Sequence, residues 1–137
     1  MGTPAYVAPE VLRGQAYGLA VDMWSTGVIC YILLGGYHPF PYANKAKLFS
    51  KIKQGQYEFH TQYWSDITPQ AKDMISALLT TDPSKRMTAI EALRHPWMTQ
   101  ETPVLEKHLS ESLSRFRVFN ARRKVRQLGE GCYFRGD

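Results

Sequence analysis

A mostly α-helical fold is what this chain of 137 residues predicts, and three observations carry the prediction. Apolar residues recur at three- and four-residue steps, as at Ala71, Met74, Ile75, Leu78 and Leu79, which is the spacing of one helix face. Helix-punctuating residues stand at the ends of such runs: Gly35-Gly36, Gly55, Thr68-Pro69 and the stretch Thr88 to Glu91. Almost no stretch alternates apolar and polar residues as a half-buried strand does. With 44% hydrophobic and 12% aromatic content, the chain suits one globular domain able to bury roughly two thirds of its unfolded surface.

The elements follow in order. Val21 to Leu34 is apolar nearly all round, which predicts a helix buried in the middle of the domain and stopped by Gly35-Gly36. Past the Pro- and aromatic-rich turn Tyr37 to Tyr42, apolar residues at 48, 49 and 52 predict a short surface helix over Lys45 to Lys53 that Gly55 ends. Thr68 is an N-cap with Pro69 at the first helical position, opening an amphipathic helix. Thr88-Ala89-Ile90-Glu91 reads as a capping box, hydroxyl and carboxylate each serving one end, worth about 1 kcal/mol. It opens a short helix that His95-Pro96 closes. A last helix is expected from Val104 to about Leu128, ended by Gly129 and Gly131.

The net charge of +5 is unevenly placed. Residues 1–98 carry nine basic and seven acidic residues, a contribution of +2, while residues 99–137 carry eight and five, a contribution of +3. Leu113 to Arg126 holds six basic residues and no acid, which marks a nucleic-acid, membrane or calmodulin-binding segment, or a solvated helix face. The longest apolar run, Val28 to Leu34, is far short of the roughly 20 residues that span a bilayer, and no signal peptide opens the chain. A soluble protein of the cytoplasm or nucleus is therefore expected. Cys30 and Cys132 give neither a disulfide framework nor metal-ligand spacing, so both read as free thiols.

Gly2-Thr3-Pro4-Ala5-Tyr6-Val7-Ala8-Pro9-Glu10, then Asp22-Met23-Trp24-Ser25-Thr26-Gly27, then Asp82-Pro83-Ser84-Lys85-Arg86 and His95-Pro96-Trp97 occur in order. Together they resemble the second half of a protein kinase catalytic domain, from the end of the activation loop onward. Tyr31 to Phe40, Ile67 to Asp73 and Glu91 to Met98 are similar to the calcium/calmodulin-dependent protein kinases, and Phe119-Asn120-Ala121-Arg122-Arg123-Lys124-Val125 extends the similarity into their autoinhibitory and calmodulin-binding segment. The resemblance implies the helical C-terminal lobe of the kinase fold, without the β-rich N-lobe and the catalytic loop. It divides the chain into a partial kinase domain at 1–98, an autoinhibitory and calmodulin-binding-like helical segment at 99–128, and a tail of no recognised role at 129–137.

The resemblance also implies roles for residues. Thr3 matches a threonine whose hydroxyl bonds the catalytic aspartate, and Pro4 and Tyr6 fall in the loop that receives the substrate residue after the phosphoacceptor. Glu10 matches the glutamate of Ala-Pro-Glu, whose partner would be Arg86; a guanidinium holds a carboxylate through two parallel bonds, so this is a structural clamp. Asp22 matches the aspartate that braces the catalytic loop, and independently of any family it is an acid at a helix start, able to bond backbone N–H groups. Phe116, Phe119, Arg122, Arg123, Lys124 and Val125 would bind calmodulin, with Phe116 and Val125 nine residues apart as apolar anchors.

Two departures narrow the expectation. Ile32 stands where arginine-directed members often carry an acid, and Leu109 lies three residues before Ser112 where activating autophosphorylation needs an arginine. Phosphoryl transfer needs a phosphate-binding lysine, metal ligands and a catalytic aspartate. The motifs that carry them, a Gly-rich loop, Val-Ala-Ile-Lys, His-Arg-Asp and Asp-Phe-Gly, do not occur in the 137 residues. The expectation is a C-lobe fragment of a calcium/calmodulin-regulated serine/threonine kinase, inactive by itself, with no catalytic, cofactor or metal residue of its own. ATP and magnesium belong to the parent, whose partners would be calcium-calmodulin at the tail and protein substrates, with neither nucleic acid nor membrane. The alternative is a non-catalytic short product serving as a substrate-docking or calmodulin-binding decoy. A lobe cut at its activation loop should also expose apolar surface.

Overall fold

The computed structural model describes residues 4–99 and 113–124, and among these every regular element is helical. A single 3-10 turn, Pro4–Tyr6, leads into α1 (Pro9–Leu12), followed by α2 (Ala20–Gly35), α3 (Lys45–Gln54), α4 (Thr61–Trp64), α5 (Pro69–Leu78), α6 (Ala89–Arg94) and α7 (Pro96–Thr99). A further helical stretch, α8, covers residues 113–124. The remainder of the helix expected from Val104 to Leu128 lies outside the described residues, as do Cys132 and the tail 129–137.

The punctuation works through named bonds. Gly36 takes φ +80° and Gly55 φ +64°, left-handed values that cost glycine nothing, and they stop α2 and α3. Asn44 Oδ1 accepts from the N–H groups of Ala46 and Lys47, and Thr68 Oγ1 accepts from Ala71 N–H. At Thr88 the capping box is half built. Its hydroxyl oxygen takes Glu91 N–H, but Glu91 Oε1 turns to the Thr88 hydroxyl at 3.1 Å instead of the Thr88 backbone.

The core forms where α2 crosses α5. Trp24, Val28, Tyr31 and Ile32 of α2 meet Ala71 and Ile75 of α5, Leu79 beyond it, and Leu48 and Ile52 of α3. Each fully buried side chain of this size contributes about 1.5–3 kcal/mol. Gly27 permits the close crossing, since a Cβ there would lie 2.8 Å from that of Leu78. One expectation is corrected here. Although α2 is apolar nearly all round, it is not buried all round: Asp22, Thr26, Ile29 and Leu33 form an exposed stripe at helical spacing, with Ile29 49% and Leu33 41% accessible. Residue type fixed which faces could be buried, while only packing decided which were.

Tyr31 also anchors a polar relay that sequence reading missed. Trp64 Nε1–H donates to the Tyr37 hydroxyl, which bonds the Tyr31 hydroxyl, which in turn donates to the Glu58 carbonyl. The Tyr31 hydroxyl is the donor toward both the Tyr37 oxygen and the Glu58 carbonyl, which share its single proton. Burial, then the Tyr37 hydroxyl, pushes the Tyr31 phenol well above its ordinary value.

Candidate functional site

Pro9 starts α1 at its first turn, and this sets Glu10 pointing inward, where it is 1% exposed. Arg86, 3% exposed, meets it with Nη1–Oε1 at 2.7 Å and Nη2–Oε2 at 2.9 Å. The other donors of Arg86 go to the carbonyls of Thr80, Ala20 and Thr81. All five N–H groups of the guanidinium are thereby used, and its plane lies 5.2 Å from the Trp24 ring. Burial pushes the Glu10 carboxyl up, but hydrogen bonds and charge from Arg86 more than offset it and hold it below its ordinary value. A charge pair this buried stays favourable only because every donor is satisfied.

The clamp fixes the segment before it against α2. Within the turn Pro4–Tyr6, the Tyr6 carbonyl accepts from Ser25 Oγ at 3.2 Å, and the half-buried Tyr6 ring stands edge-on to His38 at 5.4 Å between centroids. His38 Nδ1 accepts the N–H of Phe40, so the ring proton sits on Nε2, a buried atom without a partner. Burial pulls the His38 pKa down to about 4, leaving it neutral at neutral pH. His95 repeats the device, its Nδ1 accepting from Trp97 N–H, but its Nε2 reaches Asp73 at 2.7 Å. The sequence held a signal for both, the repeated His-Pro-aromatic triplet at 38–40 and 95–97. His95 thereby ties α5 to the turn before α7.

Asp22 falls in the first turn of α2 but is exposed, and the N-cap Leu19 gives no side-chain bond. The cap expected of Asp22 is not made, because the helix starts two residues before it; only its place near the positive end of the helix dipole remains. Thr3 lies outside the described residues.

At the other end of α2, α8 lies against the lobe. Arg115 Nη1 donates to the Tyr63 carbonyl, its guanidinium lies 5.8 Å from the Tyr63 ring, and its Cβ packs where a side chain on Gly36 would stand. Phe116 and Phe119, stacked at 6.4 Å, are partly buried against the core, while Arg117, Arg122, Arg123 and Lys124 are exposed. The structure thus separates the tail residues singled out by sequence into an inward aromatic pair and an outward basic set; Val125 lies outside the described residues. Arg115, which sequence reading counted only as one of six cations, bonds into the lobe.

Among the described residues no group of His, Cys, Asp or Glu is placed to hold a metal ion, and no helix is long and apolar enough to cross a membrane. Cys30 is half-buried, and burial pushes its thiol up. A sequence profile of the protein kinase domain matches residues 1–98. Among solved structures, the chain is similar to the twitchin kinase region from C. elegans (Fn31-NL-kin-CRD-Ig26), with a TM-score of 0.79 and 35% identity. That match covers 89% of this chain and 21% of the other, so the chain spans about a fifth of the structure it matches.

Proposed function

This chain belongs to the protein kinase domain family, and from that premise we propose that it is the C-lobe portion of a calcium/calmodulin-regulated serine/threonine kinase. In this reading Thr3, Pro4 and Tyr6 face the protein substrate, with Pro4 and Tyr6 receiving the residue after the acceptor hydroxyl. Glu10 and Arg86 hold that loop in register with α2 and α5. ATP and magnesium do not fit the residues here: every donor of the buried guanidinium is already used, and the lysines of α3 lie along a helix with no glycine-rich turn before it. No step of the transfer is assigned to this chain.

The observation that carries the regulatory part is the division of α8, with Phe116 and Phe119 against the lobe and Arg122, Arg123 and Lys124 outward. A calmodulin groove takes apolar anchors and meets cations at an acidic rim. Phe116 and Phe119 cannot fill such a groove while they pack on the lobe, so capture by calmodulin requires α8 to leave it. Titrating calcium-calmodulin into the full chain tests this: saturable binding that vanishes with a calcium chelator supports the reading, and no binding in calcium removes it.

A non-catalytic docking or decoy role, in which Pro4, Tyr6 and α8 serve only for binding, is the second reading. Transcript sequencing separates the two. A reading frame that joins His-Arg-Asp and Asp-Phe-Gly to this segment supports the kinase, and its absence from every transcript supports the decoy.

A further inference from the structure

The described part of α8, residues 113–124, has two faces. Arg115, Phe116, Phe119 and Asn120, related by three- and four-residue steps, are half-buried against the lobe. On the opposite side Leu113, Arg117, Val118, Ala121 and Lys124 recur at the same steps and are exposed, Val118 to 52%. Arg122 stands one turn beyond Val118 and flanks it. Among the described residues none of the outward cations Arg117, Arg122, Arg123 and Lys124 is ion-paired, and α8 contains no acid. The exposed acids nearest in the chain to Tyr63, on which α8 sits, are Glu58 and Asp66. Glu58 faces His60 at 3.7 Å, and neither acid pairs with a cation of α8. Glu106 and Glu111, which precede the helix, lie outside the described residues.

We propose that this outward face, Val118 with Arg117, Ala121 and Arg122 around it, is the encounter surface on which calcium-calmodulin docks while α8 is still seated, Phe116 and Phe119 passing to it only afterwards. This order rests on the reading of the tail as calmodulin-binding and adds its first step. Release of α8 without a partner would break the bond of Arg115 to the Tyr63 carbonyl, lift its guanidinium from the Tyr63 ring and expose both phenylalanines. A partner confined to the released form would bind only in proportion to that minor population. The outward face escapes this limit, because its groups are accessible with the seat intact. Its cations suit an acidic rim and steer a fast encounter, while Val118 offers a small anchor to a methionine-lined pocket. No aromatic ring stands on this face to stack a nucleic-acid base, and its cations lie among the apolar side chains instead of opposite them, as they would on a helix entering a bilayer.

The test is stopped-flow fluorescence with the full chain and dye-labelled calmodulin in calcium. Two phases are expected: a fast one whose rate rises with calmodulin concentration and falls as salt is raised, and a slower one, independent of concentration, as α8 leaves the lobe. Arg117→Gln/Val118→Gln changes only exposed positions and should not lower the melting temperature, yet should slow the fast phase by about threefold or more at low salt. Phe116→Ala/Phe119→Ala should keep the fast phase and lose the slow one; should that variant not fold, Gly36→Ala should quicken the slow phase and leave the fast one. The proposal is overturned if the intact chain binds in a single phase that levels off at high calmodulin, if Arg117→Gln/Val118→Gln binds as fast as the intact chain, or if duplex DNA or phosphatidylserine vesicles bind this face more tightly than calmodulin. No binding in calcium removes calmodulin as the partner and this order with it, whereas binding with an unaltered fast phase in the outward variant removes the order alone.

Discussion

Arg86 concentrates more structural consequence than any other side chain described here, since it ties Glu10 in α1 to the carbonyls of Ala20, Thr80 and Thr81. Arg86→Ala leaves a buried carboxylate unpaired and removes a donor from three carbonyls, and should destabilise the lobe by about 3–5 kcal/mol, read as a lower midpoint in urea unfolding. An unchanged midpoint would show that the pair is dispensable. His38 gives a residue-scale pH effect. Its pKa falls from 6.5 to about 4 on folding, so below pH 6.5 the unfolded chain takes up a proton that the folded chain refuses. Stability is fully present above that value and declines toward pH 4, at a slope of up to about 1.4 kcal/mol per unit. His38→Asn keeps an acceptor for Phe40 N–H but does not titrate, so it should flatten the unfolding free energy over this window. Glu10, also held low, adds its own loss only as pH falls below its ordinary 4.5.

At the scale of elements, the contact of α8 with the end of α2 is the joint on which regulation would turn. A Cβ on Gly36 would collide with that of Arg115, and the same glycine needs φ +80°. Gly36→Ala should therefore cost the lobe about 1–2 kcal/mol of backbone strain and also loosen α8. Gly14→Ala is the matched control, with φ +68° and nothing within 4 Å. Hydrogen exchange of residues 113–124 that quickens in the first variant and not in the second is the expected result. Equal exchange in both would mean that α8 does not depend on this seat.

For the whole molecule, the exposed Ile29 and Leu33 along α2 predict concentration-dependent self-association. Ile29→Lys/Leu33→Lys should shift sedimentation toward the monomer while leaving the unfolding midpoint little changed. How much of this was legible in sequence differs by the range of the interaction. Helix limits set by Gly36, Gly55 and Thr68 were readable because caps and left-handed turns depend on one or two residues. The meeting of Glu10 and Arg86, 76 positions apart, was expected through resemblance and not through any local pattern. The exposed stripe of α2, the Tyr37 relay and the seat of Arg115 were not readable, because each depends on which helix packs against which. The same holds for Asp22, whose residue type suited a cap that the start of the helix at Ala20 places out of its reach.

The central claim is that a calmodulin-regulated tail rests on a kinase C-lobe, and isothermal titration of calmodulin into the intact chain tests it most directly. The account predicts one-to-one binding in calcium, none in chelator, and a loss of about tenfold or more in Phe116→Ala/Phe119→Ala. Binding that is indifferent to calcium, or to the removal of both phenylalanines, would contradict it.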